Sequence, residues 1–276
     1  MFDKSAIQAL AEAESITAAT TAVALALKGN RVTALPSDFK VHDLEAYLPL
    51  RQRLRGAMKT SVLADFAAYA TANRESGAAI FIDADRMEAV AVLNLGTPIA
   101  PGHADNTATL TPKKTAAYTA MLAVAGGRGL DQTTIAEWME DWREHLTCFS
   151  GDVEIAASKA IAAVRKVTIE ASRKTESDAQ SLSASRSALE QVKATSAGDP
   201  LPGFIRVKCA PYNGLADRVF TLRLGVLTSG DKPVLTLRVI AAEKHAEEMA
   251  AELVSLVGDA VGDALPAMVG TYSVKS

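Results

Sequence analysis

The sequence predicts an α+β fold: a helix-rich N-terminal half with a β-hairpin, then a C-terminal antiparallel sheet packed by a terminal helix. Three observations predict it. Apolar residues recur at helical spacing through much of the chain up to Val164, strand-like alternation dominates from Phe204 to Ile240, and helical spacing returns after Ala242. The change in texture divides the chain into an α-rich α+β subdomain, residues 1–164, and an antiparallel β-sheet subdomain with a C-terminal helix, residues 165–276.

Asp3 to Glu14 reads as a short helix, with Ile7 and Leu10 on one face. Thr17 to Leu27 is a second apolar segment, closed by Lys28-Gly29-Asn30. Arg31 to Leu35 alternates and stops at Pro36, as a strand does. A helix follows from Ser61, its predicted cap, because Val62, Phe66 and Tyr69 share one face. Ala78 to Asp83 and Met87 to Leu95 form a hairpin around Asp83-Ala84-Asp85-Arg86. A Pro/Gly-rich loop then leads to a strand at Thr107 to Leu110.

Thr111-Pro112 opens a helix running to Val124, with proline at the favoured first position. Gly126-Gly127-Arg128-Gly129 breaks it and connects it to the next helix. Asp131 to Leu146 carries an apolar stripe of Ile135, Trp138, Met139, Trp142 and Leu146, and Asp152 to Val164 buries Ile155, Ile161 and Val164. Val167 to Ser177 and Leu182 to Val192 read as exposed polar strands, with a short helix as the alternative for the second, and Ala197 to Gly203 reads as a loop. Strands follow at Phe204 to Ala210, Arg218 to Leu227 and Val234 to Ile240, the last two joined by the loop Thr228 to Lys232. Phe220, Leu222, Leu224 and Val226 alternate onto one face, with Arg223 and Arg238 pointing the other way. The terminal helix, Ala242 to Val257, turns Met249, Leu253 and Leu256 toward the sheet.

A hydrophobic share of 49% against 22% charged residues places the chain among globular proteins. Alanine supplies much of the apolar share and aromatics only 5%, which favours close-packed helices. The net charge of −3 argues against bulk attraction to nucleic acid or anionic membrane. Cys148 and Cys209 are too few for a disulfide framework and fit a reducing cytoplasm. The stretch Ala18 to Leu27 is too short to span a bilayer, so no membrane association is expected.

His103, Asp105 and Asn106 form the most site-like polar cluster, since a His and an Asp two apart can share a metal or a proton. No second motif with ligand spacing accompanies them, and a polar turn explains them better. His145 and Cys148 lack the partners of a zinc site, and the glycines at 126–129 follow a helix rather than a phosphate-binding strand. No catalytic residue, metal ligand or cofactor is expected. The remaining signal is charge. Arg206, Lys208, Arg218, Arg223 and Arg238 lie on the C-terminal strands, opposite a terminal helix rich in Glu243, Glu247, Glu248 and Glu252. If they converge on one sheet face they would hold a polyanion; otherwise they form a solvated face or pair with that acidic helix, within or between subunits. Interleaved aromatics are absent, which counts against single strands in particular.

Four segments carry a family resemblance: ALPSDFKVHDLEAYLP, FIDADRMEAVAVLNLG leading to HADNTATL, SASRSALEQV, and CAPYNGLADRVFTLRLGVLTSGDKPVLTLRVI. Together they resemble the YfdQ-like proteins of phages and prophages, in order from about Ala34 to Val257. The resemblance implies a bacteriophage or prophage setting and expression in the cytoplasm of a bacterial host, and brings no activity or catalytic residue. The expectation is a non-enzymatic accessory protein that forms a homo-oligomer or binds a host or phage protein, with Phe204 to Ala210 as an edge strand in need of a partner. The alternative is a nucleic-acid-associated protein of phage replication or recombination.

Overall fold

The computed structural model describes residues 4–28, 45–167, 200–227 and 233–273. The strand expected at Arg31 to Leu35, the segments from Val167 to Ser177 (apart from Val167 itself) and Leu182 to Val192, and the loop Thr228 to Lys232 lie outside them. Six α-helices and two five-stranded sheets are present among the described residues, an α+β architecture. The chain forms two compact units, Met1–Leu54 and Arg55–Ser276.

In the first unit, the two expected helical segments are one helix, α1, Lys4–Lys28. No glycine or proline interrupts it. The hydroxyls of Thr17, Thr20 and Thr21 donate to the carbonyls four residues back, at 2.9, 2.8 and 2.9 Å, so the threonines stay within the helical pattern. None of the described helices is long and apolar enough to cross a membrane.

The second unit opens with a strand the sequence does not announce, β1 at Gly56–Thr60. Helix α2, Leu63–Ala72, starts after Val62 rather than at the expected Ser61, because the Thr60 hydroxyl takes the Val62 N–H at 3.1 Å. The expected hairpin is β2, Ala79–Asp83, with β3, Glu88–Val92, and β4 is Asn106–Leu110. Helix α3 begins at Ala116, not at Pro112. Thr115 caps it, and residues 113–115 are held back by backbone pairing with residues 211–213.

Helix α4, Gln132–Asp141, is capped by the Asp131 carboxylate, which the Thr134 N–H and hydroxyl hold below the usual carboxylate range. The stripe expected to continue to Leu146 stops at Asp141, and Leu146–Ser150 becomes β5. Trp142 and Leu146 still pack on the core, so strand pairing satisfies the same apolar demand as the helix would. Gly151-Asp152 then turns the chain into β6, Val153–Ile155, and the expected helix from Asp152 starts only at Ala157, as α5, Ala157–Arg165.

The last three long strands fall near their expected bounds: β7 Phe204–Cys209, β8 Arg218–Leu227 and β9 Val234–Val239. Helix α6 spans Ala242–Val261, a turn longer than expected, and β10 is Ala267–Val269.

Sheet one has the order β1-β4-β3-β2-β10, with its two outer strands parallel to their neighbours. Sheet two has the order β6-β5-β7-β8-β9 and is antiparallel throughout. Strand β7 is therefore central, not the edge strand expected. The outer side of β9 is bonded by the 126–130 segment, through Gly127 N–H to the Leu237 carbonyl at 2.9 Å and paired bonds between Leu130 and Leu235. The glycine run expected as a plain connector thus also covers a sheet edge.

The two sheets contribute to one core with the helices between their elements. Alanines 67, 70, 136, 160, 163 and 250 are buried on those helices and allow the close approach that the composition predicts. Phe220 and Leu222 turn inward from β8, and Tyr118 of α3 and His245 of α6 meet the Phe220 ring at 5.1 and 4.8 Å. Helix α6 buries Met249 and Leu253 as expected, leaves Leu256 partly buried, and packs chiefly on α2 and β10.

Arg218 sits at the inward-facing end of β8, and its side chain is only 17% exposed. It donates to Glu248 at 2.9 Å and to Glu252 at 2.7 Å, while Glu252 also accepts the Ala216 N–H at 2.7 Å. One guanidinium thus ties sheet two to α6. Replacing Arg218 by Ala strands Glu252 and should cost about 3 kcal/mol of unfolding free energy in urea titrations. A loss below about 0.5 kcal/mol would mean that apolar packing alone joins α6 to the sheet.

Candidate functional site: an open basic sheet face

Strand pairing assigns each residue of sheet two to a face, because side chains directly opposite in the ladder lie on the same side. Cys148, Ile205, Leu222 and Leu237 point to the core. The other face carries a continuous row across all five strands: Glu154, Phe149, Phe204, Arg223 and Arg238, each the ladder partner of the next. Arg206 and Lys208 project from the same face of β7. Arg206, Lys208 and Arg238 are exposed, while Arg223, Phe149 and Phe204 are half-buried. The Arg206 guanidinium lies 4.4 Å above the Phe149 ring centre, within cation–π range.

Four of the five basic residues singled out from the sequence, Arg206, Lys208, Arg223 and Arg238, therefore converge on one surface. Arg218 does not, since it faces α6. None of the four forms an ion pair among the described residues. Arg223 and Arg238 stand directly opposite each other, where like charges repel at a Cα separation of about 5 Å. An anion bridging them would relieve that repulsion.

The second sequence candidate, the polar loop before β4, is built differently. Asn94 Nδ2 donates to Asp105 at 2.9 Å, and Asn94 Oδ1 accepts the Asn106 N–H at 3.0 Å. Asp105 thus buttresses the loop while His103 is exposed on its surface. Ala104 adopts φ +53°, and a side chain at Gly77 would collide with the Gly96 carbonyl, so the loop is tightly constrained. Asn106 is fully buried, and its carboxamide has no hydrogen-bond partner among the described residues. Among the described residues no group of three or more His, Cys, Asp or Glu is arranged to hold a metal ion. Burial pushes both thiols, Cys148 and Cys209, up to about 11, which leaves them protonated and poorly nucleophilic near neutral pH.

A family model described as an uncharacterized conserved protein, DUF2303, matches residues 3–272. The chain belongs to the DUF2303 family. No curated protein and no solved structure matches it.

Sequence reasoning about this DUF2303 protein missed the two aromatic residues of the row. Phe149 fell just beyond a helix carried to Leu146, and Phe204 stood at the start of a strand taken as an edge. The signal that could have found Phe149 is the β-prone run Leu146 to Ser150 immediately before the turn Gly151-Asp152.

The polar loop carries its own test. Asn94→Ala leaves the buried Asn106 N–H without its acceptor and should cost about 2 kcal/mol in thermal or urea unfolding, whereas Asn106→Leu should be neutral or stabilising. Equal large losses for both would show that the Asn106 carboxamide has a partner that stabilises the fold.

Proposed function

We propose that this DUF2303 protein binds nucleic acid on the open face of sheet two, as a non-enzymatic accessory factor of a phage or prophage in the bacterial cytoplasm. The observation that carries the reading is the convergence of Arg206, Lys208, Arg223 and Arg238 on one face with no ion-paired acid among the described residues. Acidic residues gather instead on α6, where Glu248 and Glu252 are taken up by Arg218. The net charge of −3 therefore averages two segregated surfaces and says little about either. A ligand phosphate between Arg223 and Arg238 would replace a like-charge repulsion with two charge-assisted hydrogen bonds.

Self-association or partner binding, the reading favoured by the sequence, was motivated by the missing catalytic constellation, a pairable β-region and an acidic helix opposite basic strands, with β7 expected as an edge. That strand has neighbours on both sides, and β9 is bonded along its outer side. Nucleic-acid binding therefore has the stronger support. The phage setting rests on the resemblance to YfdQ-like proteins.

The test is fluorescence anisotropy of labelled DNA titrated with protein over a range of salt concentrations. Binding should weaken as salt rises, and the double variant Arg223→Glu/Arg238→Glu should lose at least about tenfold in affinity and flatten the salt slope by about one to two units. Absence of salt-dependent binding at about 50 mM salt overturns the reading.

A further inference from the structure

We infer that the ligand is single-stranded, with two consecutive bases stacked on Phe149 and Phe204 and the adjoining phosphates held by Arg223 and Arg238; this rests on the nucleic-acid reading above. The two residues are ladder partners on adjacent strands, so their Cα atoms lie about 5 Å apart and both side chains leave the same face. Arg223 and Arg238 continue the same row on the next two strands. A nucleotide chain running across the strands would meet rings first and cations next, in one line about 14 Å long.

A duplex fits this surface poorly. Its bases are stacked on each other and closed to the rings, and an open five-stranded face is too broad for either groove. Arg223 and Arg238 lie together at one end of the row, with Arg206 and Lys208 beside it on β7, so the cations form one cluster rather than two flanks set a groove apart. Glu154 closes the far end of the row beside Phe149 and repels phosphate there. The rings thus place the bases over β5 and β7, Arg223 and Arg238 draw the phosphates over β8 and β9, and Lys208 on β7 stands beside the path.

Arg206 adds a second element. It rests on Phe149, so an incoming base must either displace its guanidinium or slide beneath it. Both outcomes leave a cation beside the bound nucleotide. Base–aromatic stacking is the stronger contact, so the exchange is favourable.

The experiment compares a short oligothymidylate, an oligouridylate, a duplex of equal length and heparin, with wild-type protein and the variants Phe149→Leu, Phe204→Leu and their combination. Leucine keeps the apolar packing beneath each ring, and heparin binding reports an intact basic face. Single strands should bind wild type at least about tenfold more tightly than duplex, and each ring lost should weaken single-strand binding by about tenfold. Heparin binding should stay within about twofold of wild type in every Phe variant. Duplex bound as tightly as single strands, or Phe variants that hold single strands like wild type, would overturn the inference and leave the nucleic-acid reading standing. Failure of wild type to bind heparin and both oligonucleotides would remove both. The DNA and RNA arms identify the sugar that is preferred.

Discussion

The register of β8 is the constraint on which the second unit depends. Side chains alternate with period two, so a slip of one residue would exchange every inward and outward position. Phe220, Leu222 and Leu224 would leave the core, and Arg223 would enter it. The pairing of β8 with β7 and β9 prevents this over ten residues, and the Arg218 ion pairs secure its N-terminal end against α6. Core and basic face are two results of one register.

The same register explains how an acidic protein can present a basic surface. Odd positions on β8 pair with even positions on β7 and β9, which brings Arg206, Lys208, Arg223 and Arg238 together although up to 32 positions separate them in the chain. Arg218 belongs to the opposite set. Its position at the end of the strand lets the guanidinium leave the apolar core and reach Glu248 and Glu252. The acids of α6 serve in part as the structural counter-charge of one arginine, which leaves the open face uncompensated among the described residues.

Alternation over β7, β8 and β9 was legible in the sequence because it is long and bounded by turns. Helices α2 to α6 were legible as elements, but their boundaries moved wherever tertiary pairing competed with local spacing. Trp142 and Leu146 extend the helical stripe of α4, yet β7 recruits Leu146 to Ser150 into the sheet. Pro112 resembles a helix start, yet pairing with residues 211–213 delays α3 to Ala116. The three-residue strands β6 and β10 are too short to show a period, and β1, Gly-Ala-Met-Lys-Thr, has only one large apolar side chain and so no alternation to read. For the candidate site, alternation already put Arg223 and Arg238 on one face, but joining Arg206 and Lys208 to them needed the pairing of β7 with β8, and the aromatic half was hidden because Leu146 was given to a helix and residues 147–150 to no element. Strand order, which makes Phe149 the neighbour of Phe204, is not encoded in any local pattern.

The most direct measurement is ultraviolet crosslinking of a halogenated single-stranded oligonucleotide to the intact protein, with the attachment sites mapped by mass spectrometry. The account predicts adducts at Phe149 and Phe204, in peptides from β5 and β7. Adducts confined to sheet one or to α1, or none under conditions where the oligonucleotide is bound, would contradict it.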